Sequence, residues 1–196
     1  MIALVKVCGL TDLAAVDAAV AAGVDAIGFV FAKSVRQVSP QRAAELSAGV
    51  PKSIRRVAVM QHPDAAEWQA VCSGFRPDVL QTDAEDFDSL AVPAHIECWP
   101  VYREGAVSKD TNLPATFLYE GQKSGRGETV DWQRAAHIAQ RGRMILAGGL
   151  CIDNVADAIR EVSPWGVDVS SAVESAPGRK DPEKIAAFVN AARNAH

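Results

Sequence analysis

The chain alternates regularly between short apolar runs and alanine-rich segments of helical periodicity, and this alternation most constrains its fold. Runs this continuously apolar are typical of strands buried on both faces, as in a parallel sheet covered by helices. The predicted strands are Ala3–Cys8, Ala26–Phe31, Arg56–Met60, Val79–Gln81, Ile96–Val101, Thr116–Tyr119, Met144–Ala147 and Gly166–Val169. Eight such units predict a compact α/β fold, a (β/α)8 TIM barrel. A doubly wound open sheet is the main alternative, because a strand count does not establish closure.

The segments between the strands carry helix-start signals. Helices are predicted to start near Thr11, Pro40, Asp64, Asp86, Asp131, Ile152 and Asp181. The stretch Arg103–Asn112 is typical of a loop, so the unit after the fifth strand is the weakest. A chain of 196 residues is just below the usual size for this barrel, which requires short loops. Because 48% of the residues are hydrophobic, we expect one domain over residues 1–196 with a substantial core.

Composition and charge argue against several classes of function. A net charge of -4 disfavours a broad surface for nucleic acid or anionic membranes. No apolar run approaches the roughly 20 residues of a membrane span, and the N-terminus shows no export signal. The four cysteines form no C-x-x-C pair and the four histidines lack metal-ligand spacing, which disfavours metal sites and disulfides. We therefore expect a cytoplasmic protein with reduced thiols and no metal; the pattern specifies no oligomeric state.

Cys8 is the first candidate for chemistry, because it ends the first predicted strand and is followed by Gly9. Parallel α/β proteins gather their chemistry at the carboxyl ends of strands. A partly ionised thiol can act as a base or nucleophile, and Lys6, two residues back on the same side of the strand, could lower its pKa or orient a substrate. The competing interpretations are a small buried hydrophobe for Cys8 and a salt-bridged strand-end lysine for Lys6.

Two further loops follow predicted strands and carry charged or ionisable groups. Arg36, after the second strand, could bind a carboxylate or phosphate through two parallel hydrogen bonds, or lie on the surface as a solvated arginine. The glycine-bearing loop after the sixth strand offers Tyr119 or Glu120 as a proton donor, although flexible turns have the same composition.

Two late turns are candidates for a phosphate site, because they follow the seventh and eighth predicted strands. The first contains Gly148 and Gly149, and the second contains Ser170 and Ser171. Backbone N–H groups of Gly149, Ser170 and Ser171, with a short helix starting after Ser171, would hold a dianion. Alone, a Gly-Gly pair also fits an ordinary tight turn.

Several of these motifs together resemble the phosphoribosylanthranilate isomerase family of tryptophan biosynthesis, nearly end to end. The matching stretches are Lys6-Val7-Cys8-Gly9-Leu10-Thr11, Gly28-Phe29-Val30-Phe31 with Ser34 and Arg36, Leu80-Gln81, Ser124-Gly125-Arg126-Gly127 with Val130-Asp131-Trp132, Leu146-Ala147-Gly148-Gly149-Leu150 with Asn154-Val155, and Gly166-Val167-Asp168-Val169-Ser170-Ser171-Ala172-Val173-Glu174.

The resemblance implies a (β/α)8 fold and an Amadori rearrangement of N-(5-phosphoribosyl)anthranilate, a small phosphorylated substrate, without cofactor or metal. It implies that Cys8 is the general base at C2 and that Arg36 engages the anthranilate carboxylate. It further implies that the two late turns bind the phosphate, with Lys6 and Gln81 as additional substrate-binding residues.

The chain departs from the family pattern at the general acid, an aspartate at the end of the sixth strand. Here the stretch reads Leu118-Tyr119-Glu120. We favour Glu120, because a carboxyl group donates a proton near neutral pH more readily than a phenol does. Tyr119 stays open as the alternative, because neighbours on a strand point to opposite faces.

Other departures are Gln81-Thr82-Asp83-Ala84, which lacks the usual histidine, Ser124-Gly125-Arg126-Gly127 in place of Gly-Gly-Thr/Ser-Gly, and Ala172 in place of a glycine. Two alternative functions follow from the same residues. One is a related phosphosugar isomerase acting on the histidine-pathway aminoaldose. The other is a non-catalytic phosphate-binding barrel that has lost its acid.

Overall fold

The strands of this chain close into a barrel in the computed structural model, which describes residues 2–121 and 130–195. The described residues form eight parallel strands, each paired with the next in chain order, and the last pairs with the first. They are β1 (Leu4–Cys8), β2 (Ala26–Val30), β3 (Arg55–Val59), β4 (Val79–Asp83), β5 (Glu97–Arg103), β6 (Thr116–Glu120), β7 (Arg143–Leu146) and β8 (Gly166–Val169). The predicted (β/α)8 barrel is confirmed and the open sheet is excluded. The predicted motif Ser124–Gly127 lies outside the described residues.

Six α-helices cover the barrel in the same described ranges: α1 (Leu13–Ala22), α2 (Pro40–Leu46), α3 (Ala65–Gly74), α4 (Trp132–Ala139), α5 (Val155–Val162) and α6 (Pro182–Arg193). Most begin where capping chemistry predicts, because a side-chain oxygen accepts a hydrogen bond from a backbone N–H of the first turn. The capping residues that do this are Asp12, Ser39, Asp64, Asp131 and Asp181.

Two helix predictions need correction. The helix expected near Asp86 is only a 3₁₀ helix, Ala84–Asp88, because the Asp86 carboxylate accepts hydrogen bonds from Thr82 and the His62 backbone. The helix expected near Ile152 begins at Val155, after a turn in which Asn154 accepts from the Cys151 backbone. Residues 104–115, all described, connect β5 to β6 without a helix, as predicted.

Strand alternation divides the apolar residues into two layers. The inner layer fills the barrel, and its buried members are Leu4, Ala26, Val57, Val79, Trp99, Val101, Leu118, Ile145 and Ala147. The outer layer packs the strands against the helices and includes Val5, Phe29 and Phe117. Among the described residues, no helix has the length and apolar character needed to cross a membrane. Because the inner residues recur every second position, the side chains that continue this series at the strand ends point into the barrel mouth.

Gly166 allows β8 to approach β1 where the barrel closes. A Cβ atom at this position would lie 2.9 Å from Leu4 Cδ2 and 3.1 Å from the Leu4 carbonyl oxygen. Leu4 is itself part of the inner layer and fully buried, so it has little room to move.

We therefore predict that Gly166→Ala lowers the free energy of unfolding by about 1–3 kcal/mol, as overpacked cores do. Urea denaturation of the purified chain measures this. Gly49→Ala is the matched control, since no atom lies within 4 Å of the added Cβ. Equal stability of Gly166→Ala and the unmodified chain would contradict the packing argument.

Candidate functional site

A cavity of about 300 Å³ opens at the carboxyl ends of the barrel strands. Most of the residues predicted for the site line it: Cys8, Arg36, Gln81, Glu120, Gly148, Gly149, Ser170 and Ser171. The two exceptions are Lys6 and Tyr119, which have no exposed surface. The fold therefore brings groups that are up to 163 positions apart in sequence to one mouth (Cys8 and Ser171).

Cys8 lies at the end of β1 and is 7% exposed. Gly28, on β2, makes room for it, because a Cβ there would lie 3.0 Å from Cys8 Sγ and 3.2 Å from Lys6 Cε. Burial raises the pKa of the Cys8 thiol, and attraction to Lys6 only partly offsets this. As expected, the interaction with Lys6 lowers the pKa of Cys8. The net shift of that pKa is nevertheless upward, because burial has the larger effect.

Lys6 forms a buried ion pair with Asp168, with Nζ 2.9 Å from Oδ2. Burial alone would lower the pKa of Lys6, but attraction to Asp168 and Cys8 outweighs it and raises the pKa. The structure therefore agrees with the interpretation of Lys6 as a salt-bridged lysine. Of the two residues in the pair, Asp168 lines the cavity and Lys6 does not. Asp168 is a site residue that sequence reasoning quoted in a motif but did not single out.

Tyr119 and Glu120 point to opposite sides of β6. Tyr119 packs in the outer layer against the helices, whereas Glu120 continues the inner series two positions after Leu118 and lines the cavity. The pairing of Tyr119 with Leu146 and of Leu118 with Ile145 fixes this register. Of the two candidates, Glu120 is therefore the one whose side chain lies at the mouth.

Arg36 is held by a carboxylate that sequence reasoning missed. Its Nε lies 2.6 Å from Glu174 Oε1 and its Nη2 lies 2.9 Å from Glu174 Oε2. Glu174 starts a short hairpin, β9 (Glu174–Ala176) and β10 (Arg179–Lys180), inserted between β8 and α6. A guanidinium held on its Nε side keeps the N–H groups of Nη1 for another planar anion.

Lys180 extends this network to the predicted phosphate turn. Its Nζ donates to Glu174 Oε1 at 2.9 Å and to the Ser170 carbonyl at 2.9 Å. The Ser170 hydroxyl in turn donates to the Cys8 carbonyl at 3.1 Å. A chain of contacts therefore joins Arg36, the Ser170 turn and the backbone of Cys8.

The two late turns have the backbone geometry that close approach to an anion requires. Gly148 and Gly149 both adopt positive φ, 85° and 63°, which L side chains rarely adopt. Ser171 opens a 3₁₀ helix, Ser171–Val173, as the predicted short helix in this turn. Gly148, Gly149 and Ser171, together with Ser170, line the cavity.

A second charged group on the opposite rim was not predicted as part of the site. Asp83, on β4, contacts Arg103, on β5, and lies 3.4 Å from His62 Nε2. His62, Asp83 and Asp86 bring possible ligand atoms within 4.8 Å of one another. Arg103 already supplies the positive charge at Asp83, so this cluster carries no metal assignment. The only hint of this group in the sequence was the stretch containing Asp83, which lacks the histidine of the family pattern.

The closed barrel, with its reactive groups at the carboxyl ends and paired turns after β7 and β8, defines a (β/α)8-barrel enzyme. The model of the family "N-(5'phosphoribosyl)anthranilate (PRA) isomerase" matches residues 5–191. The chain therefore belongs to this family.

Individual relatives agree with this assignment. The N-(5'-phosphoribosyl)anthranilate isomerase of Listeria welshimeri is 38% identical over 200 residues, covering 97% of this chain and 98% of the relative. The crystal structure of TrpF from Jonesia denitrificans is 42% identical, with a TM-score of 0.81 over 98% of this chain and 97% of that one. A phosphoribosyl anthranilate isomerase in complex with reduced 1-(o-carboxyphenylamino)-1-deoxyribulose 5-phosphate is 28% identical, with a TM-score of 0.78 over 98% and 99%.

The Glu174 network yields a prediction for stability against pH. Burial alone would raise the pKa of Glu174, but hydrogen bonds from Arg36 and Lys180 outweigh it and lower the pKa. A carboxyl whose pKa is lower in the folded state stabilises the fold above its unfolded pKa of about 4.3, and the stabilisation is lost as pH falls through the folded pKa.

We predict that Glu174→Gln lowers the free energy of unfolding by about 2 kcal/mol or more at pH 7, because the buried Lys180 ammonium loses its counter-charge. The difference from the unmodified chain should shrink below about pH 4.3. Chemical denaturation at several pH values measures both. Glu45→Gln, in an exposed pair with Arg42, should change stability by no more than about 1 kcal/mol. A difference that stays constant down to low pH would refute the argument.

Proposed function

We propose that Cys8 and Glu120 carry out the rearrangement that family membership assigns to this chain. That reaction is the isomerisation of N-(5'-phosphoribosyl)anthranilate in tryptophan biosynthesis. Its product is 1-(2-carboxyphenylamino)-1-deoxyribulose 5-phosphate. One observation carries the proposal: a thiol and a carboxyl group line the same cavity as the two late turns.

Glu120 acts as the general acid in this proposal. It gives a proton to the ribose ring oxygen as the C1–O bond breaks, while the nitrogen lone pair forms a C=N bond to C1. The resulting iminium group acidifies the C2–H bond, so a weak base suffices for the next step.

Cys8 acts as the general base and takes the proton from C2 as thiolate. The C–H electrons form a C1=C2 bond and the C=N electrons return to nitrogen, giving an enolamine that tautomerises to the ketone. Burial raises the pKa of Cys8 and so favours the thiol in the free protein. The ammonium groups of Lys6 and Lys180 are the charges that lower this pKa and favour the thiolate.

The two charged groups of the substrate, its phosphate and its carboxylate, are bound by two different sets of residues in this proposal. The turns at Gly148, Gly149, Ser170 and Ser171 bind the phosphate, and Arg36 binds the anthranilate carboxylate through the N–H groups that Glu174 does not occupy. The reduced product complex of a relative supports a ligand of this chemistry.

Two acceptor atoms in the cavity wall suit the ribose hydroxyls. Gln81 Oε1 and Asp168 Oδ1 are buried and have no hydrogen-bond partner among the described residues. An unpartnered buried acceptor is costly, and a substrate hydroxyl would satisfy it. Lys6, which lacks exposed surface, acts on the substrate through Asp168 and Cys8 rather than by contact.

A cytoplasmic location belongs to the same proposal. All four cysteines lie in the described ranges and are free thiols, which is the state that reducing compartments maintain. The alternative of a non-catalytic barrel rested on the missing acid; the carboxyl group of Glu120 at the mouth supports the catalytic function instead.

Removal of the base should stop the chemistry and spare binding. We expect Cys8→Ser to lower kcat by at least about 10²-fold, because a hydroxyl is a far weaker base than a thiolate. The decrease in fluorescence of N-(5'-phosphoribosyl)anthranilate measures turnover, and product titration measures binding. Cys151→Ser is the matched control, at a partly buried thiol that is not among the residues lining the cavity. A near-normal kcat in Cys8→Ser would exclude the assigned base.

The acid is tested by a pair of neighbouring variants. Glu120→Gln should lower kcat by about 10²-fold or more and change KM less, because the carboxamide cannot donate the proton. Tyr119→Phe should retain kcat, since its hydroxyl lies in the outer layer. The reverse result would assign the acid to Tyr119.

A further inference from the structure

The departures from the family pattern at Asp83 and Glu120 belong to one chain of ion pairs. Arg103 connects them, because its Nη1 contacts Asp83 Oδ1 and its Nη2 lies 3.6 Å from Glu120 Oε1. The three residues end the neighbouring strands β4, β5 and β6, and all three line the cavity. Two departures that look independent in the sequence are therefore adjacent in the fold.

The strand register makes the contact between Arg103 and Glu120 direct. The two residues are cross-strand partners, and so are Val101 and Leu118, two positions earlier. Val101 and Leu118 both belong to the inner layer. Since side chains alternate along a strand, Arg103 and Glu120 project on the same side as this pair, into the mouth.

Asp83 is well placed to anchor the arginine. Its side chain is 2% exposed, and a carboxylate this buried needs a partner of opposite charge. His62 contacts it from the other side, and Asp86 holds that imidazole through a 2.9 Å contact to Nδ1. The Asp83 carboxylate is therefore held at Oδ2 by the His62 imidazole and at Oδ1 by the Arg103 guanidinium.

We propose that Arg103 is a positioning residue for the proton donor Glu120, with Asp83 as its anchor. The inference rests on the proposed function, in which Glu120 is the acid. A glutamate has one more rotatable bond than the aspartate of the family pattern, so its carboxyl group loses more conformational freedom when it is held over the substrate. The planar guanidinium, fixed by Asp83, restricts the carboxyl group to the mouth. Its positive charge also favours the ionised form of that group, so the positioning effect has to outweigh this cost to the proton donor.

A double-mutant cycle on the full chain tests this inference. Arg103→Met should lower kcat about tenfold to a hundredfold with KM little changed, because a misplaced catalytic group costs rate rather than binding. In the Glu120→Gln background the same substitution should lower kcat little further, since the proton donor that Arg103 positions is already gone. Asp83→Asn should act in the same direction as Arg103→Met, and Arg103→Lys should restore part of the lost kcat.

Arg56→Met is the matched control, because Arg56 forms a partly exposed pair with Asp78 at the opposite end of the strands. It should leave kcat unchanged. Circular dichroism and thermal melting establish that each variant folds; if Arg103→Met does not, Arg103→Lys and Asp83→Asn carry the same cycle.

Two results would overturn the inference. Losses that multiply in the double variant would mean that Arg103 acts independently of Glu120. A large rise in KM at unchanged kcat would make Arg103 a ligand for a substrate anion instead. A near-normal kcat in Glu120→Gln alone is a different result: it removes the acid assignment itself, and the inference with it.

Discussion

The buried ion pair between Lys6 and Asp168 is the contact around which the site is built. The two residues are register partners on β1 and β8, the strands whose pairing closes the barrel. Beneath them Leu4 faces Gly166 in the apolar interior, and above them Cys8 opens on the cavity. Each charge offsets the free-energy cost of burying the other. Two ionic groups can therefore occupy positions in the barrel interior that apolar side chains would otherwise fill. The pair therefore lies at the boundary between the apolar interior of the barrel and the residues that line the cavity.

This arrangement explains both the strength and the limit of sequence reasoning about the site. The carboxyl ends of the strands were recognisable from apolar runs, and the chemistry lies there. The choice between Tyr119 and Glu120 was open because Phe117 and Leu118 are both apolar, so β6 shows no alternation in its sequence. A strand buried on both faces hides which face is inner. Only its pairing with β5 and β7 decides the question.

Contacts distant in sequence account for what could not be predicted. Arg36 and Glu174 are 138 positions apart, and no local signal links a loop after β2 to a hairpin after β8. The helix expected near Asp86 failed for a similar reason, since His62 from another loop engages the carboxylate that would have capped it. Local capping was reliable where the acceptor served only its own helix, as Asp64 does for α3.

The proposed substrate is an anion, although the protein itself has a net charge of -4. The charged side chains around the cavity explain how such a substrate can still be bound. Three cationic side chains at or near the cavity wall are paired with carboxylates: Arg36 and Lys180 share Glu174, and Arg103 contacts Asp83. Such pairing reduces the net attraction for a phosphate or carboxylate, but it fixes the donor groups before the substrate arrives. A cation already held in place loses little side-chain entropy on binding, whereas a free one must be ordered at a cost of about 0.5–1.5 kcal/mol. The walls thus contribute more to the orientation of the substrate than to its electrostatic attraction. This suits the proposed reaction, in which a carboxylic acid has to reach the ring oxygen and a thiolate has to reach C2 of the same sugar.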